Sequence, residues 1–296
     1  MKPATHSSAH PALQAEDVTV QLKDGRTLRV LQSGEGPPVV LIHGILGMAE
    51  DMASGLFEAL SPSHRVIAVD RPGHGGSLRH RFESSPTRQA ELIREGLAQL
   101  GIGTPVLVGH SIGGTVALAY ARAWPEEVRG LVLLAPPAYP ELRPIEHTYL
   151  SPRAAPWFGP LVSRAAHDMV DPAVLPLLQK AMFAPQDIPD YWATGFPHAQ
   201  VLRPEQMTAN GEDISEQPAL AALAMTYRAI PTPTVILTGD KDGIVNPSRH
   251  ARALAVALPN ARLEMLPGLG HMNHHFAQAA IAAAVSELTS ADPAAA

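Results

Sequence analysis

The sequence predicts an α/β fold in which a mostly parallel, doubly wound sheet is interrupted by a helical insertion. Three observations lead there. Short, wholly apolar runs recur: Val39-Val40-Leu41-Ile42, Val66-Ile67-Ala68-Val69, Val106-Leu107-Val108, Leu131-Val132-Leu133-Leu134 and Val235-Ile236-Leu237. Continuous rather than alternating apolarity marks strands covered on both faces, as in parallel sheets. Stretches suited to helices separate these runs, which gives the strand–helix rhythm of such a sheet. From about residue 138 to 230 the rhythm stops. Prolines recur from Pro140 to Pro218, only short helical pieces fit between them, and no buried strand is evident.

The elements follow in order. Residues 1–15, rich in Pro, Ser, His and Ala without a period, predict a flexible tail. Val18–Leu22, the turn Lys23-Asp24-Gly25-Arg26 and Thr27–Leu31 predict a β-hairpin. Strands at 39–42, 66–69, 106–108 and 131–134 then alternate with helices at 49–60, 87–100 and 114–121. The insertion, 138–230, thus follows the sixth strand. Strands at 234–238 and 262–266 and helices at 249–258 and 277–288 complete the chain before a short tail at 291–296. The organisation is a sheet core in two parts, 16–137 and 231–290, carrying one mainly helical cap. No internal repeat is visible.

The bulk numbers narrow the function. The chain has 296 residues, 46% of them apolar and 17% charged, enough for a substantial core. Its net charge of −6 gives no electrostatic footprint for nucleic acid or an anionic membrane. Without cysteine, disulfides, thiolate catalysis and Cys-based metal sites are excluded. No apolar segment heads the N-terminus, and no run approaches the roughly 20 residues of a membrane span, so a cytoplasmic protein with no membrane partner is expected. Oligomeric state is left open.

In open α/β sheets reactive groups collect at the C-terminal strand ends. Gly109-His110-Ser111-Ile112-Gly113 stands between the strand at 106–108 and a small-residue helix. A serine on such a tight turn exposes its hydroxyl, and the flanking glycines let strand and helix crowd together. Alone, the pentapeptide reads equally as a glycine-rich turn whose serine caps the next helix. Other strand ends carry His43-Gly44-Ile45-Leu46-Gly47, Asp70-Arg71-Pro72-Gly73-His74-Gly75, Gly239-Asp240-Lys241-Asp242 and Pro267-Gly268-Leu269-Gly270-His271. A serine, a carboxylate and a histidine therefore follow three strands in that order.

These motifs together resemble the α/β-hydrolase fold superfamily, over residues 17–137 and 231–289, with a cap between. A serine nucleophile resembles the esterase, lipase and C–C hydrolase branch rather than the aspartate-dependent dehalogenases and epoxide hydrolases. The resemblance implies Ser111 as nucleophile, His271 as base and Asp242 as the acid that orients it, with Asp240 the rival. A serine hydroxyl needs such a base, and the imidazolium needs a carboxylate. Backbone N–H groups of Ile45 and Ile112 are the implied oxyanion donors. The implied reaction is hydrolysis of a small-to-medium apolar carboxylic ester through an acyl-enzyme. C–C hydrolase, lactonase, thioesterase and cofactor-free perhydrolase chemistry, or a weakly catalytic ligand receptor, are the alternatives.

The remaining residues take plainer readings. His43 holds its loop, His110 packs beside the serine turn, and Asp70 and Arg71 brace theirs. His274 and His275 read as surface groups or supports of His271, because no carboxylate or thiol is spaced to complete a metal site. The glycines after Val69 lack the Gly-Lys-Ser/Thr of a phosphate loop. No cofactor and no metal are expected. Of the insertion's Trp157, Phe158, Met169, Met182, Phe183, Tyr191, Trp192, Phe196, Met207 and Met225, most should bury the insertion and some should face Ser111 as an apolar wall. Arg143, Arg153 and Arg164 are the cations that an acidic C–C substrate would need in the pocket.

Overall fold

The computed structural model describes residues 5–10 and 13–290. Nine strands form one sheet, ordered β1-β2-β3-β5-β4-β6-β7-β8-β9. They are β1 Thr5–His10, β2 Ala15–Gln21, β3 Thr27–Ser33, β4 Pro38–Ile42, β5 Arg65–Val69, β6 Val106–His110, β7 Gly130–Leu134, β8 Thr234–Gly239 and β9 Ala261–Leu266. The strands from β4 onward pair in parallel. The first three add to the β5 edge antiparallel.

The first strand corrects the expected tail at 1–15. Thr5–His10 pairs with β2 from Thr5↔Val20 to His10↔Ala15. An extended polar segment satisfies the otherwise open ladder of an edge strand, and sequence period does not reveal such pairing. The insertion therefore follows the seventh strand, not the sixth. The tail expected at 291–296 lies outside the described residues.

Alternate strand residues point to opposite faces. On one face Val40, Ile42, Leu107, Leu131 and Ile236 pack with Ile93 of α2 (Pro86–Gln99) and Val116 of α3 (Ile112–Ala123). On the other, Leu41, Val108, Val132, Leu134 and Leu237 pack with Met52 of α1 (Ala49–Leu60) and Ile281 of α12 (Gln278–Ser290). This two-sided burial is why the strands read as unbroken apolar runs. α2 starts where Ser85 accepts the Arg88 N–H and Pro86 takes the first turn.

Between β7 and β8 the regular elements among the described residues are helices: α4 Pro144–Leu150, α5 Gly159–His167, α6 Val170–Phe183, α7 Asp190–Thr194, α8 His198–Val201, α9 Pro204–Ser215 and α10 Gln217–Ala224. Helix α11 (Ala253–Ala257) lies between β8 and β9. The insertion has its own core of Leu150, Leu175, Phe183, Trp192 and Met207, which continues onto Leu46, Met48, Ile112 and Met272 at the strand ends. It thus sits on the side where the sheet order reverses, between β5 and β6 around β4, the side on which such folds bind ligands.

Candidate active site

Ser111 joins β6 to α3 with φ 50° and ψ −126°, a strained conformation for a residue with a Cβ. Its N–H donates to the Leu134 carbonyl at 2.9 Å, and its own carbonyl accepts from Gly114 N–H at 2.8 Å. The glycine at 113 is required by space. A Cβ there would lie 2.1 Å from the Ile42 carbonyl oxygen. Gly44 approaches from the other side, where an added Cβ would meet the Ser111 Cβ at 3.0 Å. The loop after β4 and the serine turn are thus in contact, which sets Ile45 beside Ser111 on the lining of one cavity. Ile112 opens α3, so its N–H belongs to the first turn and has no helical acceptor.

His271 follows β9 and is buried, as is Asp242 after β8. The imidazole Nδ1 donates to Asp242 Oδ2 at 2.9 Å, while Oδ1 accepts the N–H groups of Ile244 at 2.8 Å and Val245 at 2.9 Å. Three donors fix this carboxylate. Asp240 is exposed and accepts Gly268 N–H at 2.7 Å, a loop contact. The geometry thus gives the ring to Asp242 and not to its rival.

The bracing readings acquire partners. His43 accepts the Arg71 N–H on Nε2 at 2.9 Å and donates from Nδ1 to the Gly44 carbonyl at 2.8 Å. Burial and the Arg71 charge hold it well below the usual imidazole range, so it stays neutral. The Arg71 guanidinium donates to the His43 and Gly44 carbonyls at 2.9 and 3.1 Å and to Asp213 of α9 at 2.5 Å. Asp70 accepts from Arg29 and from Ala49 and Gly76 N–H groups. Burial nevertheless raises its carboxyl to about 6 against the pull of Arg29.

Ser111, Asp242 and His271 line one cavity of about 470 Å3. Its far wall comes from the insertion: Leu142, Arg143, Ile145, Glu146, Tyr149, Leu150, Leu178 and Met182. Among the insertion's large aromatic and Met side chains singled out from sequence, only Met182 lines this cavity. Phe183, Trp192, Phe196 and Met207 are buried in the insertion's core, whereas Trp157, Phe158, Met169 and Met225 are exposed. The wall is chiefly aliphatic, and composition could not tell those groups apart. Of the three arginines, Arg143 reaches the cavity, paired with Glu146 at 3.1 Å. Arg153 is buried against Asp171 at 2.6 Å, and Arg164 lines a different cavity.

The chain matches the α/β hydrolase fold family over residues 37–278. It is an α/β hydrolase. The 2-hydroxymuconate semialdehyde hydrolase of Pseudomonas putida is 31% identical, over 84% of this chain and 86% of that one. A non-heme haloperoxidase of Rhodococcus erythropolis is 28% identical, over 85% and 92%. An esterase from Exiguobacterium antarcticum shares the fold with TM-score 0.73 at 23% identity, over 92% of this chain and 99% of that one. Among the described residues of this hydrolase no helix is long and apolar enough to cross a membrane.

One expectation about the hydrolase's histidines needs correction. His274 and His275 are not surface groups, and a carboxylate does join them. Asp51 of α1, remote in sequence, accepts His274 Nε2 at 2.8 Å and His275 Nε2 at 2.9 Å on Oδ1. By type, the three could hold a metal, with ligand atoms within 4.8 Å of one another. Trp192 Nε1, which cannot ligate, donates to the same oxygen at 3.2 Å. Three N–H donors on one acceptor account for the cluster as a hydrogen-bonded unit. Burial lowers His275 to about 4, so a neutral imidazole donates to the Asp51 carboxylate and the link is not an ion pair.

Proposed function

We propose that this α/β hydrolase cleaves small-to-medium apolar carboxylic esters through an acyl-enzyme. In this reading Ser111 Oγ attacks the ester carbonyl as His271 Nε2 takes its proton. Asp242, on Nδ1, keeps the ring in the right tautomer and stabilises the imidazolium. The carbonyl oxygen, now an oxyanion, is held by the N–H groups of Ile45 and Ile112, each worth about 3 kcal/mol in comparable acyl transfers. The tetrahedral adduct collapses, and His271 protonates the departing alkoxide. A water activated by the same ring then releases the acid. The helices between β7 and β8 act as a cap whose aliphatic wall receives the apolar group.

The observation that carries this reading is a strained serine turn on the lining of a cavity that it shares with a histidine already bound to a carboxylate. C–C hydrolysis is the second reading, favoured by Arg143 on the cavity wall and by the name of the Pseudomonas relative. The pairing of Arg143 with Glu146 favours the ester, because an acidic substrate needs a cation that is free to meet it. The test is hydrolysis of 4-nitrophenyl esters from acetyl to decanoyl by the wild type and Ser111→Ala. Turnover that depends on chain length and falls by a factor of at least about 1,000 in the variant supports the proposal. No turnover by folded wild type overturns it and directs the search to C–C substrates, peracids or receptor ligands.

A further inference from the structure

The buried carboxylate of Asp51 is outside the proposed catalytic group, and its surroundings assign it a task. Burying a charge without partners is prohibitive. Here the partners come from two separate places. His274 and His275 lie on the turn immediately after His271, and Trp192 lies on α7 of the insertion. All three N–H groups converge on Oδ1. Burial pushes this carboxyl up, but His274 and His275 outweigh it and hold it well below the usual range.

The same turn is held from the sheet side. Asn273 Nδ2 donates to the Leu237 carbonyl at 3.3 Å, and His110 Nε2 donates to the His271 carbonyl at 3.1 Å. The His110 ring lies between those of His271 and His274, with centroids 4.9 and 4.3 Å away. The sheet thus fixes the strand side of residues 271–275. The insertion meets the same segment through apolar contacts, with Met272 in its core and the His275 ring 5.5 Å from that of Phe183, and through the hydrogen bonds that converge on Asp51. On its other face the Trp192 ring stacks on Phe196 at 4.1 Å and meets Phe183 edge-on at 5.2 Å. Phe183 follows Met182, which lines the cavity. A connected set of side chains therefore runs from the substrate wall through Trp192 and Asp51 to the backbone of His271.

We propose that Asp51 is a positioning residue for His271, locking the turn that carries the base and the insertion that walls the substrate cavity onto one oxygen. The proposal rests on the assignment of His271 as the base. Misplacing a catalytic group by about 1 Å can cost on the order of 100-fold in rate, so the effect falls on kcat more than on KM for a short ester.

The test uses the full chain with Asp51→Asn, His274→Phe, His274→Gln and Trp192→Phe. His274→Phe keeps a ring against His110 but removes the N–H, and His274→Gln restores a donor of similar reach. Trp192→Phe removes one N–H and keeps an aromatic ring, which serves if Asp51→Asn does not fold. The first readout is the proton NMR signal of His271 Nδ1–H in its bond to Asp242, which needs no substrate. It is expected to be strongly deshielded and slow to exchange in wild type and His274→Gln. It should be lost to exchange in Asp51→Asn and His274→Phe and weakened in Trp192→Phe. The second readout is kcat for 4-nitrophenyl butyrate, expected to fall by about 10-fold to 100-fold in the first two variants with KM within about 2-fold. Variants that lower the melting temperature yet keep the His271 proton and kcat overturn the proposal. If the proton behaves as stated while wild type cleaves no ester, the positioning role stands and the esterase reading fails.

Discussion

The strand ends of the sheet and the helices after β7 treat polarity in opposite ways. At the strand ends polar side chains are buried and paired: His43 with Arg71, Arg71 with Asp213, Asp70 with Arg29, His271 with Asp242. The insertion presents an aliphatic cavity wall and leaves large apolar groups in water, with Trp157 91% and Met225 88% exposed. The contrast follows from the two tasks. Moving a proton and holding an oxyanion require donors and acceptors at fixed positions, which only a dense hydrogen-bond network supplies. Receiving an apolar group requires volume and shape, which many aliphatic combinations provide. The regions meet through many polar links, among them Arg71 and Arg79 to Asp213, Arg81 to Glu212, Leu46 N–H to Asn210 at 3.0 Å and Trp192 to Asp51.

The largest expected effect breaks the rigid side of this contrast. In Gly113→Ala the new methyl lies 2.1 Å from the Ile42 carbonyl and 2.6 Å from that of His43, both backbone atoms of the adjoining strand and loop. Neither can yield without moving the serine turn. The variant should lose at least about 3 kcal/mol, or roughly 6 °C or more in melting temperature, if it folds at all. Trp157→Ala in the insertion should stay within about 0.5 kcal/mol of wild type. Thermal unfolding of both proteins decides, and equal melting temperatures would remove the contrast.

The same contrast explains what could be read from sequence. The strands at 39–42, 66–69 and 131–134 and the helix at 49–60 announce themselves because burial on both sheet faces forces unbroken apolar runs. Ser111, Asp242 and His271 were legible because each stands at the end of such a strand beside glycines that close approach demands. Arg71 could be named as a brace, but its partner Asp213 lies 142 residues away in an insertion without period. Asp51 gave no signal, since a carboxylate in the first turn of α1 is ordinarily a solvent-facing helix start. Its role depends on His274 and Trp192, which only the fold brings to it. The cavity wall was illegible for the converse reason. Leu175, Leu178 and Met182 of α6 all belong to or pack on the insertion's core, yet only Leu178 and Met182 also line the cavity, and aliphatic identity does not encode that choice.

A second prediction sharpens the comparison through pH. Burial first, and nearby cations or other imidazoles second, hold His43, His74 and His110 well below the ordinary imidazole range, and burial lowers His275 to about 4. In the unfolded chain the same groups titrate near 6.5. Below about 6.5 the unfolded state therefore binds more protons than the folded one, and stability falls as pH drops from about 6.5 toward 4. Asp70, raised to about 6, works in the opposite direction over part of that window, but it is one group against four. Melting temperatures at pH 7.5, 6.0 and 5.0 should decline by several degrees. A rise toward acid would mean that these histidines are ion-paired and charged in the folded protein.

The smallest expected effect concerns the one arginine of the cavity. Arg143 and Glu146 lie one turn apart at the start of α4, largely buried, so their charges cancel at the wall that faces Ser111. In Glu146→Gln the shape is kept and the guanidinium is left without its counter-charge. A carboxylate on the substrate can then take the place that Glu146 held. An ion pair this near the surface is worth about 1 kcal/mol, or ~5-fold. The ratio of kcat/KM for 4-nitrophenyl hydrogen succinate to that for 4-nitrophenyl butyrate should rise by that factor, with butyrate itself little changed. Added salt should shrink the gain, because part of the pair remains open to solvent. An unchanged ratio would mean that the acyl group never approaches Arg143, and that Leu178 and Met182 line its path instead.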